Sequence, residues 1–302
     1  MSIIQWRPRL EAFRRQLADA IPCEPPTEEV RADLRVMPLD ELVSIYVAWA
    51  QRLVRQAPRH VTSGEGFWDG RAQHHRGTIE TLITKIEFGE ELLPFLSERV
   101  RKHGYAPRQT HERVPRGIDW KRMDFVINAY GVHHLHLRRS GSSELLFVDF
   151  RRDSADLIML GDHKSFHDGT LEDRLTRRRA ETGTLQLRGV MGLGRSHNAA
   201  ERTSLARGGI TTVAQVGERF VLSSLVASSG ASMHSVRHAD SIVRTLEEVE
   251  ERLINGSLAG IIPLAQILEL KARKWKWAFD ACDLVLIEEE SALHWILAAG
   301  QT

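Results

Sequence analysis

The segment from Gly131 to Asp168 constrains the fold most strongly, because it holds three successive short apolar runs separated by turn residues. Small polar residues and glycine fill positions 140–143, and Arg, Asp and Ser fill positions 152–154. Such residues between apolar runs are the usual signal of β-hairpins. The segment therefore predicts a meander of three antiparallel strands, at about 132–139, 144–151 and 155–162.

The regions on both sides of this meander have mainly helical periodicity. We therefore expect an α+β protein with a helical N-terminal region at 1–115 and a small central antiparallel sheet within 116–179. Residues 180–302 form a mixed α/β C-terminal region that is expected to end in helices. The last of these predicted helices spans Leu264 to Phe279, and Asp119 is predicted to cap a short helix before the meander.

Composition excludes several classes of protein. Of the 302 residues, 42% are hydrophobic and 27% are charged, as in ordinary globular proteins, and the net charge of +1 gives no general attraction to nucleic acid or membrane. Two cysteines, Cys23 and Cys282, are too few for a disulfide framework or a cysteine zinc site. No apolar run is long enough to cross a membrane, and no signal peptide is evident, so we expect a cytoplasmic protein without membrane partners.

The first predicted strand contains three histidines. Because side chains alternate along a strand, His134 and His136 share one face, and His133 shares the other with leucines that belong to a core. We interpret His133 as a buried structural histidine. The pair His134 and His136 could bind a metal or act as acid and base near neutral pH, and the alternative is a solvated polar face.

The third predicted strand is followed directly by Asp162, His163 and Lys164. A buried strand that places charged residues at its end is a common way to build a site on a rigid element. The alternative is a solvated turn.

The pieces GVHHLHLRR, ELLFVDFRRD and DLIMLGDHKSF together resemble the RelE/ParE/HigB superfamily of toxin ribonucleases, over about 50 residues. This resemblance implies metal-independent RNA cleavage through attack of the 2′-hydroxyl, with no cofactor. It implies that base, acid and phosphate-binding charge come from His134, His136, Arg138, His163 and Lys164. Those toxins are much shorter than this chain, so the flanking regions would need a role such as sensing, or autoinhibition relieved by a partner protein.

The pieces VDF and GDHK are also similar to the PD-(D/E)xK nuclease pattern. That resemblance implies a divalent ion such as Mg²⁺ held by Asp149 and Asp162, with Lys164 completing the triad. Both resemblances point to cleavage of a phosphodiester bond, by different chemistry.

Arginines cluster around the meander although the region as a whole is scarcely basic. Four of them are candidates for substrate binding through phosphate: Arg139, Arg151, Arg177 and Arg178. Solvated turns and a helix end are the alternative. The sequence thus favours a nuclease, foremost an RNA-cleaving toxin or bacterial defence effector, then a metal-dependent nuclease, then a non-catalytic module that binds nucleic acid or protein.

Overall fold

A computed structural model describes residues 7–107, 124–139, 142–257, 261–262 and 274–300. These residues divide into two compact units. The first unit combines the chain up to Gln51 with residues 102–107 and with the chain from Ser235 onward, and the second combines 52–101 with the chain up to His234. The chain therefore enters the second unit twice, whereas the sequence predicted three successive regions.

The helices are α1 (Pro8–Ala20), α2 (Glu28–Val36), α3 (Leu39–Ala50), α4 (Arg71–His74), α5 (Arg76–Glu87), α6 (Glu98–Lys102), α7 (Phe125–Tyr130), α8 (Thr170–Thr182), α9 (Ala199–Arg207) and α10 (Met233–Ile254). The strands are β1 (His60–Ser63), β2 (His133–His136), β3 (Leu145–Phe150), β4 (Ser154–Gly161), β5 (Gln186–Leu187), β6 (Val213–Val216), β7 (Arg219–Leu222), β8 (Trp275–Asp280), β9 (Asp283–Glu288) and β10 (His294–Ala298). The mixture confirms the α+β class. None of the described helices combines the length and the apolar character that crossing a bilayer requires.

The C-terminal part of the first unit is a β-meander, in the order β10-β9-β8, and this corrects the predicted helical ending. The predicted helix at 264–279 has its described C-terminal part in β8, while 263–273 lie outside the described residues. Trp275 and Trp277 are buried and Lys276 between them is exposed, which is the two-residue period of a strand. Aromatic residues at this spacing favour a half-buried strand over a helix.

The sheet of the second unit has the strand order β1-β4-β3-β2. The predicted meander is confirmed as β2, β3 and β4, which pair antiparallel with register Leu135 to Leu146 and Leu146 to Leu160. The sequence did not predict β1, which pairs parallel to β4 and makes the sheet mixed. A second small sheet, in the order β5-β7-β6, completes this unit.

An irregularity in β4 changes which side chains share a face. Phe147 lies opposite Met159, whereas the next residue, Val148, lies opposite Leu157, so Ile158 is the extra residue of a bulge. Strict alternation predicted that Ile158 and Leu160 share a face. The bulge shifts the phase by one residue, and Ile158 instead packs with Phe147.

Each face of this sheet is covered by apolar side chains. On one face, Leu135 and Leu146 pack with residues of α5 such as Ile79. On the other face, Phe147 packs with residues of α7, α8 and α9, such as Leu171. Helices thus cover both faces, which explains why β3 and β4 are apolar on both sides.

Candidate active site

The histidines of β2 lie on the faces that strand alternation predicts. The rings of His134 and His136 lie 6.2 Å apart between centroids. His133 lies on the opposite face, where it is 2% exposed and contacts the ring of Phe150 edge-on. The structure confirms His133 as a buried core residue and leaves the other two imidazoles available for chemistry.

A tight turn at the end of β4 brings a third histidine to this pair. Asp162 caps the 3-10 turn His163–Phe166, and its Oδ1 accepts a hydrogen bond from the Lys164 N–H at 2.8 Å. Gly161 lets the turn close, since a Cβ there would lie 2.6 Å from the Ser165 hydroxyl. The ring of His163 consequently lies 6.0 Å from that of His136. We call His134, His136 and His163 the imidazole cluster.

Phe166 closes the imidazole cluster into a loop of four rings. Its ring lies 5.2 Å from that of His134 and 5.5 Å from that of His163. Phe166 also packs edge-on against Phe147 of the core. The side chain of Phe166 thus connects the exposed imidazole of His163 to the core of the sheet.

His136 is held by the backbone of Ser142. Its Nδ1 lies 3.0 Å from the Ser142 carbonyl oxygen, and the Ser142 N–H donates to the same nitrogen at 3.1 Å. The nitrogen therefore has a partner whether or not it carries a proton. Burial is the main reason why the pKa of His136 is lowered from its ordinary value, and it outweighs the hydrogen bond to Ser142, which acts in the opposite direction; the imidazoles of His134 and His163 add to the lowering. His136 is therefore uncharged at neutral pH.

Asp124 is a site residue that the sequence analysis missed. It is the N-cap of α7, whereas the predicted cap, Asp119, lies outside the described residues. Oδ2 of Asp124 lies 3.9 Å from Nδ1 of His134. The signal was present in the sequence, because an aspartate directly precedes the run FVINAY and Gly131 follows that run in the left-handed conformation typical of a helix end.

The cations around the imidazole cluster are exposed. Lys164 and Arg138 both have exposed side chains; Lys164 directly follows His163, and Arg138 lies two residues after His136. Arg71, which the sequence analysis did not single out, donates to Asp162 Oδ2 at 3.1 Å and lies 3.7 Å from Glu144. The hydrogen bond from Arg71 is the main reason why the pKa of Asp162 is lowered. Asp162 therefore acts as a charged cap and ion-pair partner.

The structure does not bring Asp149 and Asp162 together, which corrects the alternative assignment of a Mg²⁺ site. Asp149 lies opposite Asp156 at one end of the β3–β4 pair, and Asp162 follows Gly161 at the other end. At about 3.3 Å per residue, the two aspartates are about 15 Å apart. Carboxylates that share an ion must each approach it to about 2 Å, so these two cannot hold one Mg²⁺. Among the described residues, no group of three His, Cys, Asp or Glu is arranged to hold a metal.

The four predicted phosphate-binding arginines are already engaged within the protein. Arg151 lies 3.3 Å from Asp149, and Arg178 donates to both oxygens of Asp156 at 2.7 and 2.9 Å. Arg177 pairs with Asp173 along α8, and Arg139 lies over the ring of Phe95 in the core of the opposite face. Arg151 and Arg178 thus lie at the Asp156 end of the sheet, away from the imidazole cluster.

Replacement of Asp149 by asparagine is expected to leave any cleavage activity unchanged and to make the free energy of unfolding fall less between pH 4 and pH 7 than it does in the unchanged protein. Burial raises the pKa of Asp149, which outweighs the opposing charges of Arg151 and Arg179. A carboxyl group with a raised pKa loses its contribution to stability as the pH rises through that pKa. Urea unfolding of both proteins at pH 4 and pH 7 measures the effect on stability. A loss of cleavage activity in Asp149→Asn would contradict the placement of Asp149 outside the site.

Comparison of the chain with protein-family models, with curated proteins and with solved structures gave no match in any of the three.

Proposed function

We propose that this protein cleaves RNA without a metal, by attack of a 2′-hydroxyl on the adjacent phosphorus, at the imidazole cluster. The observation that carries the proposal is the placement of three imidazoles in series, with centroid separations of 6.2 and 6.0 Å. The imidazole of His136 is held uncharged, and the imidazole of His134 faces the carboxylate of Asp124. General acid–base catalysis needs such a difference between neighbouring titratable groups.

His136 supplies the general base. When its Nδ1 proton is donated to the Ser142 carbonyl, the lone pair of Nε2 is available. Because the pKa of His136 is lowered, this uncharged form is present at neutral pH. Nε2 then takes the proton of the 2′-hydroxyl as the 2′-oxygen forms its bond to phosphorus.

His134 supplies the general acid. Its imidazolium, facing the Asp124 carboxylate, donates the Nε2 proton to the leaving 5′-oxygen as the bond from phosphorus to that oxygen breaks. The products are a 2′,3′-cyclic phosphate and a 5′-hydroxyl. One proton is gained by His136 and one is lost by His134, so exchange with water restores both residues.

Exposed cations stabilise the charge that develops on the pentavalent phosphate. Lys164, Arg138 and His163 are the candidates, because all three are exposed, His163 belongs to the imidazole cluster, Lys164 directly follows it in sequence and Arg138 lies two residues after His136. Positively charged donors placed where charge develops are often the largest single contribution to catalysis. The chemistry agrees with what the resemblance to RelE-type toxins implies, and a toxin or defence role controlled by a partner protein is part of this proposal.

The proposal is tested by incubating the full chain with labelled RNA and with DNA of the same sequence, in EDTA and in Mg²⁺. We expect cleavage of RNA alone, at equal rates in EDTA and Mg²⁺. In His134→Ala the rate falls by about 10²-fold or more, the usual contribution of a general acid.

The matched control is His60→Ala, since His60 is an exposed histidine paired with Ser154, at the far end of the same sheet. This variant should cleave at the rate of the unchanged protein. Binding of RNA without turnover would support a non-catalytic module instead. Cleavage that requires Mg²⁺ would contradict the proposal.

A further inference from the structure

The contact between Asp124 and His134 joins two side chains that are both largely buried. Their side chains are 14% and 12% exposed, and Asp124 Oδ2 lies 3.9 Å from His134 Nδ1. This Nδ1 is buried and makes no hydrogen bond with the described residues. Because Nδ1 is inaccessible, the exposed part of the ring lies elsewhere, and Nε2 is the nitrogen that can meet a substrate.

The backbone of α7 fixes the carboxylate of Asp124. Its Oδ1 accepts hydrogen bonds from the N–H groups of Val126 and Ile127, at 3.1 and 3.3 Å. This cap leaves Oδ2 as the oxygen that faces the imidazole.

We propose that Asp124 is a positioning residue, which holds the proton of His134 on Nδ1 and thereby presents Nε2 to the substrate. This inference rests on the proposed function, because it deepens the role of His134 as the acid. The hydrogen bond or ion pair made by one ring nitrogen of a histidine sets the state of the other nitrogen. A shift of less than 1 Å would turn the 3.9 Å contact into a hydrogen bond.

The described contacts of the His134 ring come from several elements of the second unit. His136 of β2 faces the same side, and the rings of Phe147 and Phe166 pack against His134 from β3 and from the 3-10 turn. Asp124 is consequently the anionic group in contact with the imidazole among the described residues. Its removal should therefore change how the ring of His134 is held and which ring nitrogen carries the proton.

The test is Asp124→Asn in the full chain. The asparagine oxygen can still cap α7, because Asn and Asp are equally good caps, whereas the amide NH₂ would donate toward Nδ1 of His134. We expect RNA cleavage to fall by about 10²-fold or more, with the basic limb of the rate profile moved to lower pH and the urea midpoint unchanged. Nitrogen NMR of the labelled ring should show the proton of the neutral ring on Nδ1 in the unchanged protein and on Nε2 in the variant.

A second variant, Asp124→Ser, retains a capping oxygen but presents neither carboxylate nor amide to the ring. Asp124→Ser should lose cleavage activity, but the proton of the neutral His134 ring should not move completely from Nδ1 to Nε2. An unmoved pH profile and an unchanged tautomer in Asp124→Asn would overturn the positioning role, even if the protein cleaves RNA. A reversed tautomer in a protein that cleaves no RNA would support the positioning role and refute the proposed function, so the two failures are distinguishable.

Discussion

His136→Ala is expected to lower the rate of RNA cleavage by about 10²- to 10⁴-fold, the range that loss of a general base produces. The substitution removes the only imidazole of the cluster whose Nδ1 hydrogen-bonds to the described backbone, at Ser142. Initial rates on a labelled RNA measure this effect. His60→Ala serves again as the matched histidine control, and a His136→Ala variant that retains its activity would contradict the assignment of the base.

The pH dependence of stability gives His136→Ala a second signature. The folded pKa of His136 lies below its ordinary value of 6.5, so between these two values the unfolded chain binds more protons than the folded one. The contribution of His136 to stability is therefore present above about pH 6.5 and is lost as the pH falls through the folded pKa. The free energy of unfolding, measured in urea at pH 5 and at pH 8, should differ less between these two pH values in His136→Ala than in the unchanged protein.

Arg179→Met is expected to destabilise the protein by about 3 kcal/mol or more, because three backbone carbonyls lose their donor and each unsatisfied buried group costs about 1–3 kcal/mol. Arg179 is 5% exposed, and its guanidinium donates to the carbonyl oxygens of Leu222, Ser223 and Tyr130 at 3.1, 2.9 and 2.7 Å. Burial lowers the pKa of Arg179 to about 10, so the side chain is still charged at neutral pH.

Arg177→Met is the matched control for this effect. Arg177 lies two residues away on α8 and makes an exposed ion pair with Asp173 at 2.9 Å. Exposed ion pairs contribute about 0–1 kcal/mol, so the control should unfold close to the unchanged protein. Equal urea midpoints for the two variants would show that Arg179 does not join α8 to β7 and α7 as we describe.

The same two arginines show where sequence reasoning was limited. Arg177 and Arg178 were both predicted to bind phosphate, and Arg179 is their neighbour in the sequence. On a helix, successive residues point about 100° apart. Arg177 therefore pairs with an exposed acid, Arg178 pairs with the carboxylate of Asp156, and Arg179 meets a set of buried carbonyls. Adjacency in the sequence could not reveal these three environments.

The meander and its histidines could be predicted because they depend on local rules. The two-residue period of a strand separates His133 from His134 and His136, and turn residues mark the ends of the strands. A site at the end of the third strand followed from the position of His163 directly after that apolar run. These inferences need no knowledge of which distant segments meet.

The parts that the sequence analysis missed depend on distant partners or on a local irregularity. β1 is a four-residue strand whose parallel partner lies more than 90 residues away, at Ser154 to Leu157. The bulge at Ile158 reverses the phase of an otherwise regular strand. Arg71 reaches Asp162 only through the tertiary fold, since 91 positions separate the two.

The most direct test of metal-free RNA cleavage uses a short RNA and a copy that carries one 2′-deoxy nucleotide at the main cleavage position, both incubated with the full chain in EDTA. We predict that the RNA is cut there to a 2′,3′-cyclic phosphate and a 5′-hydroxyl, and that the deoxy position stays intact. Cleavage at the deoxy position, a requirement for Mg²⁺, or no cleavage of either oligonucleotide would contradict the proposed function.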